Sequence, residues 1–244
     1  MEYKTFNLKG TRELTDSHHS ESRIFIKGSE LFKILNGDKI TSKRKETIEL
    51  LSEFSNPFCV FPNYGLLNKK GDFCGYEMDY QHNYTVMLEY LRHNYIPFKI
   101  RKECIKMLCR AIDYLERNGI SFIDLHSENI LVNDKGIKII DLDGSIPYEH
   151  ISSYSKNARK AITNMRLALM SLSLLFNNPN IEYNFPNDSE VNKLLKSLNK
   201  NKAEIIKKVF TFDNGTDTII DIEEDIDSFD EEKVEYARHI LRLR

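Results

Sequence analysis

The chain has 244 residues, 41% hydrophobic and 30% charged, with a formal net charge of −2. This composition is that of a globular protein able to bury a core, and it offers no electrostatic footing for nucleic acid or an anionic membrane surface. No apolar run approaches the length of a membrane span, Met1-Glu2-Tyr3-Lys4 opens no signal peptide, and the four cysteines lack metal or redox spacing. A reduced, cytoplasmic setting is expected.

Residues 1–35 read as β-rich. Apolar runs occur at Thr5-Phe6-Asn7-Leu8, Arg23-Ile24-Phe25-Ile26 and Leu31-Phe32-Lys33-Ile34-Leu35, with Lys27-Gly28-Ser29 as a tight turn between the last two. Lys33 stands in the middle of an apolar strand. Apolar residues on both sides of it imply a sheet covered on both faces, where a charge needs a reason to be present. The alternative is a strand lysine facing solvent.

Ser42–Phe54 fits a helix, with Ser42 as N-cap and Ile48, Leu51 and Phe54 as its apolar face. After Asn56-Pro57, strands are expected at Val60-Phe61 and Phe73–Met78, joined through the turn Asn68–Asp72. The periodicity then becomes helical. Thr85–Arg92 reads as a short helix and Phe98–Asn118 as a long one, with Ile105, Leu108, Ile112 and Leu115 on one face and Gly119 past its end.

The most informative stretch is Ile120–Ser145, ISFIDLHSENILVNDKGIKIIDLDGS. Two β-type runs, Ile130-Leu131-Val132 and Ile137-Lys138-Ile139-Ile140, flank the polar turn Asn133-Asp134-Lys135-Gly136, which is a hairpin signal. Asp124, His126 and Asn129 precede the first run, and Asp141 and Asp143 follow the second. A hairpin gathers residues placed this way at one of its ends. Carboxylate and amide oxygens so gathered suit Mg²⁺, a hard ion that takes oxygen ligands and phosphates.

This segment resembles the catalytic core of the protein-kinase-like superfamily, in which H-R-D-L-x-x-x-N precedes one strand and D-F-G follows the next. Asp124 and Leu125 match the catalytic Asp-Leu, Asn129 the metal-binding Asn and Asp141 the metal-binding Asp. Phe122-Ile123 stand in place of His-Arg, and Leu142-Asp143 in place of Phe-Gly. The D-x-H-x-x-N spelling is also similar to that of aminoglycoside phosphotransferases and choline kinases. The resemblance implies an α+β, two-lobed protein-kinase-like fold, with a nucleotide-binding lobe over residues 1–80 and a helical lobe over 81–244. The first lobe would be small and β-rich with one main helix.

The resemblance also assigns roles. Lys33 is the lysine that contacts nucleotide phosphates, and its helix partner is Glu46, with Glu49 as the alternative. Met78 lines the adenine pocket, and Asp79 and Tyr80 offer backbone groups at the hinge. Asn129 and Asp141 hold the metal. His126 either contacts the γ-phosphate or orients Asp124, and Asp143 is either a solvated acid or a further ligand. The phosphate-covering segment, Thr15–Ser22, lacks the glycines that let backbone N–H groups approach phosphate.

Beyond Ser145 no A-P-E motif occurs. Ala158–Phe176 reads as a buried helix, 191–198 and 202–212 as amphipathic helices, 213–230 as an acidic connection and Glu231–Leu243 as a closing helix. The expected function is ATP- and Mg²⁺-dependent transfer of a γ-phosphate to a hydroxyl by an atypical Ser/Thr protein kinase-like enzyme. The expected partners are a nucleotide and a protein or small-molecule hydroxyl substrate, with no nucleic acid and no membrane. Two other readings stay open: a small-molecule kinase of the aminoglycoside or choline type, and a nucleotide-binding pseudokinase acting as a scaffold.

Overall fold

A computed structural model describes residues 1–14, 21–181, 222–223 and 226–242, apart from the side chains of 237 and 240–242. It is mixed α+β, β-rich at the N-terminal side and helical later. The chain divides into two compact units: Met1–Tyr84 with Ile140–Ser145, and Thr85–Ile139 with Ile146–Arg244. The short segment after the hairpin therefore packs with the first unit, although sequence order would place it with the second. The expected helices at 191–198 and 202–212 lie outside the described residues, as does most of the 213–230 segment.

The first unit is built on a sheet of strands β1 (Glu2–Thr5), β2 (Arg12–Glu13), β3 (Ser22–Lys27), β4 (Glu30–Leu35), β5 (Tyr64–Leu67) and β6 (Phe73–Asp79), in the order β1-β5-β6-β4-β3-β2. Lys27 pairs with Glu30 across a two-residue turn, and Gly28 takes the left-handed conformation (φ 61°) that such a turn requires. Strand alternation sends side chains to two apolar clusters, one on Phe25, Phe32 and Leu66, the other on Leu35, Ile48, Val60, Tyr76 and Met78. The sheet is thus covered on both faces.

Two strands differ from expectation. The first run ends at Thr5, and Phe6 turns back over the sheet to lie 5.7 Å from the Phe25 ring and 5.6 Å from the Phe32 ring. Val60 and Phe61 are buried but not in a strand. Pro62 follows them and has no N–H to give a ladder, so pairing resumes only where Asn63 N donates to Glu77 O at 2.7 Å.

Helix α1 (Ser42–Leu51) is capped by Thr41 rather than Ser42. Thr41 has extended backbone angles, and its hydroxyl accepts from Arg44 N at 3.1 Å. The helix stops at Leu51, and Phe54, beyond it, sets its ring edge-on to Phe61 at 6.0 Å.

In the second unit the expected short helix begins late. Thr85–Val86 is strand β7, and helix α2 covers Met87–His93. Strands β9 (Ile130–Asn133) and β10 (Gly136–Ile139) form the expected hairpin, with β7 as a third strand against β9. Asn133 Oδ1 closes the turn by accepting from Lys135 N at 2.8 Å and Gly136 N at 3.1 Å. Helix α3 (Phe98–Arg117) buries Ile105, Leu108, Ile112 and Leu115, and Gly119 (φ 73°) follows its C-cap.

Strand β8 (Ile120–Ser121) pairs with β11 (Ile146–Pro147). Helix α4 (Ser153–Leu175) starts earlier than its apolar pattern because Ser152 caps it, accepting from Ser155 N at 3.3 Å. Helix α5 (Glu231–Arg242) closes the described chain, and fully buried Arg101 of α3 pairs with its Glu235. Among the described residues no helix is long and apolar enough to cross a membrane.

The cap assignment can be checked directly. Thr41→Ala should lower stability by about 1 kcal/mol in chemical denaturation, whereas Ser42→Ala should stay within about 0.5 kcal/mol of the parent.

Candidate active site

The first unit carries a buried cluster of charges around Lys33. Lys33 pairs in register with Tyr76 of β6, and alternation puts it on the same sheet face as Leu31 and Leu35, toward α1. It is 5% exposed. An amine buried this far loses its hydration and would be driven neutral without partners. It has two: its Nζ forms an ion pair with Asp141 and donates to Asp143 Oδ1 at 2.8 Å. Burial works to lower the Lys33 pKa, but Asp143 and Asp141 outweigh it, so the net direction is upward and the amine stays charged.

The two aspartates follow β10 on a loop anchored by apolar residues. Ile140 packs against the Leu35–Ile48–Tyr76 cluster, and buried Leu142 opens a 3-10 turn that closes when Ser145 N donates to Leu142 O at 2.9 Å. Between those anchors Asp141 takes the left-handed backbone conformation (φ 61°, ψ 39°), which Asp tolerates better than most residues.

Asp143 is not a solvated acid. Its side chain is fully buried. Oδ1 accepts from Lys33 Nζ and from Tyr76 Oη, both at 2.8 Å, and Oδ2 accepts from Arg44 Nε at 2.8 Å. Burial pushes this carboxyl upward, but Lys33, then a hydrogen bond with Asp141 and the charge of Arg44, reverse the effect and hold it well below the usual carboxylate range. Asp141 goes the other way: burial raises it, against the opposing pull of Lys33. The Tyr76 phenol is raised well above its ordinary value by burial and by Asp143, so it remains a donor.

The expected helix partner of Lys33 is corrected. Glu46 is exposed, and Glu49 accepts from the Tyr3 hydroxyl and lies 3.7 Å from Lys45. Arg44 occupies the inward position instead, because residues 44, 48 and 51 lie at i, i+4 and i+7 and form one stripe with buried Ile48 and Leu51. Glu46, two residues on from Arg44, points away. That stripe is legible in the sequence once Arg44 is allowed on it. Arg44 also reaches Glu21 at 3.1 Å, and Glu21 lies 3.2 Å from Lys39. The charge of Glu21 is thereby balanced at the end of the expected phosphate-covering segment, of which 15–20 lie outside the described residues.

The expected base-binding positions fare unevenly. Met78 is a buried member of the core cluster. Asp79 is exposed, its carboxylate accepting from Asn63 at 2.9 Å and its carbonyl from Gln81 Nε2 at 3.0 Å. Tyr80 donates its backbone N–H to Ser29 O at 2.7 Å, so that donor is already committed within the unit.

The second unit holds Asp124, His126 and Asn129 together. Phe122 and Leu125, both buried, fix the backbone around Asp124. Helix α4 clasps the same segment, with Thr163 Oγ1 donating to Phe122 O at 3.0 Å and Arg159 Nε to Ser121 Oγ at 2.8 Å. The Asp124 side chain is 61% exposed. Asn129 Nδ2 donates to Asp124 O at 2.9 Å and to Asp124 Oδ2 at 3.2 Å. Both amide protons of Asn129 are therefore directed at Asp124, and its carbonyl oxygen is used by neither bond.

His126 Nδ1 accepts from Glu128 N at 3.3 Å, which assigns the ring proton to Nε2, 3.5 Å from Asp124 Oδ1. The Asp124 carboxyl is lowered, chiefly by His126, against burial and with help from Asn129 and Arg166. Of the two roles open to His126, this geometry supports orienting Asp124.

Among the described residues no group of three or more His, Cys, Asp or Glu side chains is arranged to hold a metal. In the first unit the Asp141 carboxylate is 40% exposed, and in the second the carbonyl oxygen of Asn129 is not used by its bonds to Asp124.

Removing Asp143 would leave Lys33 and Arg44 buried around an absent carboxylate. Asp143→Ala should destabilise the fold by about 3–5 kcal/mol in denaturant titrations, while Glu46→Ala should change it by less than about 0.5 kcal/mol.

No protein-family model matches the sequence, and no curated protein is similar to it.

Proposed function

We propose that the chain is an ATP- and Mg²⁺-dependent phosphotransferase of an atypical, Ser/Thr protein kinase-like type. The observation that carries this reading is Lys33, a charged amine buried in a central strand and tied to Asp141, the aspartate after the hairpin. A lysine whose only task was packing would be replaced there by an apolar residue at lower cost. The ordered set Asp124, Asn129, hairpin, Asp141 gives the same reading independently.

In this assignment Lys33 neutralises phosphate oxygens, and Asp141 and Asn129 are the oxygen ligands of Mg²⁺. When bound, Mg²⁺ and ATP supply the transferable phosphoryl group and much of its charge neutralisation. Asp124, kept ionised and held by His126 and Asn129, accepts or orients the proton of the acceptor hydroxyl. These groups act by positioning and electrostatics, with no covalent intermediate on the protein.

A scaffold without catalysis is the second reading. It is favoured by Tyr80, whose N–H is committed to Ser29, and by the glycine-poor segment before β3. The two separate in one experiment: Mg²⁺ and γ-labelled ATP with the protein alone, with generic protein substrates and with a panel of small hydroxyl metabolites. Label on protein that disappears with Asp141→Ala is the expected result. Label on a small molecule alone would assign the acceptor to the aminoglycoside or choline class. No turnover in any arm would overturn the phosphotransferase reading.

The pH dependence follows from Asp124. Its lowered pKa keeps the base ionised, and activity present, to lower pH than an ordinary carboxylate would allow. His126→Ala removes the main cause of that lowering, so the acid limb of kcat/KM should move to higher pH. Asp124→Ala should cost about 10²–10⁴ in kcat.

A further inference from the structure

We propose that Arg44 is a positioning residue of the phosphotransfer site: it fixes the Asp143 carboxylate, which in turn fixes Lys33. The proposal rests on the phosphotransferase reading above. It reverses the charge logic expected of the helix, where a carboxylate would meet the strand lysine directly. Here the helix supplies a cation, and Asp143 is the anion between the two positive groups.

The geometry is specific. Arg44 holds Oδ2 of Asp143, while Lys33 and Tyr76 share Oδ1, so rotation of the carboxylate would break three bonds at once. Lys33 has a second partner in Asp141. If Asp141 turns to a metal, Lys33 keeps Asp143 as its anchor and has donors to spare for phosphate oxygens. Arg44 makes this possible because Asp143, with a cation of its own on Oδ2, does not depend on Lys33 alone for compensation. Two cations, Lys33 and Arg44, stand against two carboxylates, Asp141 and Asp143. Without Arg44 both carboxylates compete for one amine.

The choice of arginine fits this task. Its Nε reaches Asp143 while Nη1 reaches Glu21, at 2.8 Å and 3.1 Å. A lysine at 44 can make one of these contacts but not both in a fixed fork. The Arg44 side chain is 15% exposed, so its pair with Asp143 is not the screened surface kind that contributes little.

The test is a double-mutant cycle read in MgATP affinity and in KM against kcat, with Arg44→Ala, Lys33→Ala and the double variant, each checked for an intact fold by circular dichroism and melting. Arg44→Ala should weaken MgATP binding about tenfold in the parent and by less than about twofold in the Lys33→Ala background. Arg44→Lys should fall between, and it keeps the test open if Arg44→Ala does not fold. Equal losses in both backgrounds would make Arg44 a structural residue and overturn the proposal, as would no loss in either. A parent protein that binds no nucleotide would overturn the phosphotransferase reading itself.

Discussion

One buried carboxylate governs the arrangement of the first unit. Asp143 draws together Lys33 from β4, Tyr76 from β6 and Arg44 from α1, segments separated by long stretches of sequence. Burying an anion with two cations is costly in desolvation, and such a network contributes little net stability compared with an apolar core of equal volume. What it supplies is a single acceptable geometry. Any other placement of α1 or of the loop after β10 leaves a charge buried without its partner, at a cost of several kcal/mol.

The same network gives the two aspartates of the D-x-D sequence different fates. Asp143 is fully buried and held on both oxygens, which keeps it ionised. Asp141 is partly exposed, bound mainly through Lys33, and set at the left-handed position of the loop. Two carboxylates two residues apart thus differ, one enclosed by three donors and one partly open. In the second unit Asn129 makes an analogous division, spending its amide protons on Asp124 and leaving its carbonyl oxygen.

What was legible in the sequence was local. The β9–β10 hairpin follows from alternating β-branched residues around an Asn-Asp-Lys-Gly turn, and α3 from three- and four-residue spacing, because these signals rest on neighbours in the chain. Lys33 was legible as buried because the residues around it were apolar. The partners of Lys33 were not, since they lie 108 and 110 positions away. The resemblance points to Glu46 as the helix partner, whereas the stripe of Ile48 and Leu51 selects Arg44. The apolar pair Val60-Phe61 mimics a strand, but Pro62 has no N–H and the strand is Tyr64–Leu67. Thr41 and Ser42 are equivalent caps by residue type, and the Thr41 backbone angles and its bond from Arg44 N decide between them.

The most direct test of the account is where a metal–nucleotide complex lands. With ATP present, Mn²⁺ in place of Mg²⁺ should broaden the backbone NMR signals of Lys33, Asn129 and Asp141, and Asp141→Ala should abolish the effect at all three. Broadening that omits Asp141, or that persists unchanged in Asp141→Ala, would contradict it.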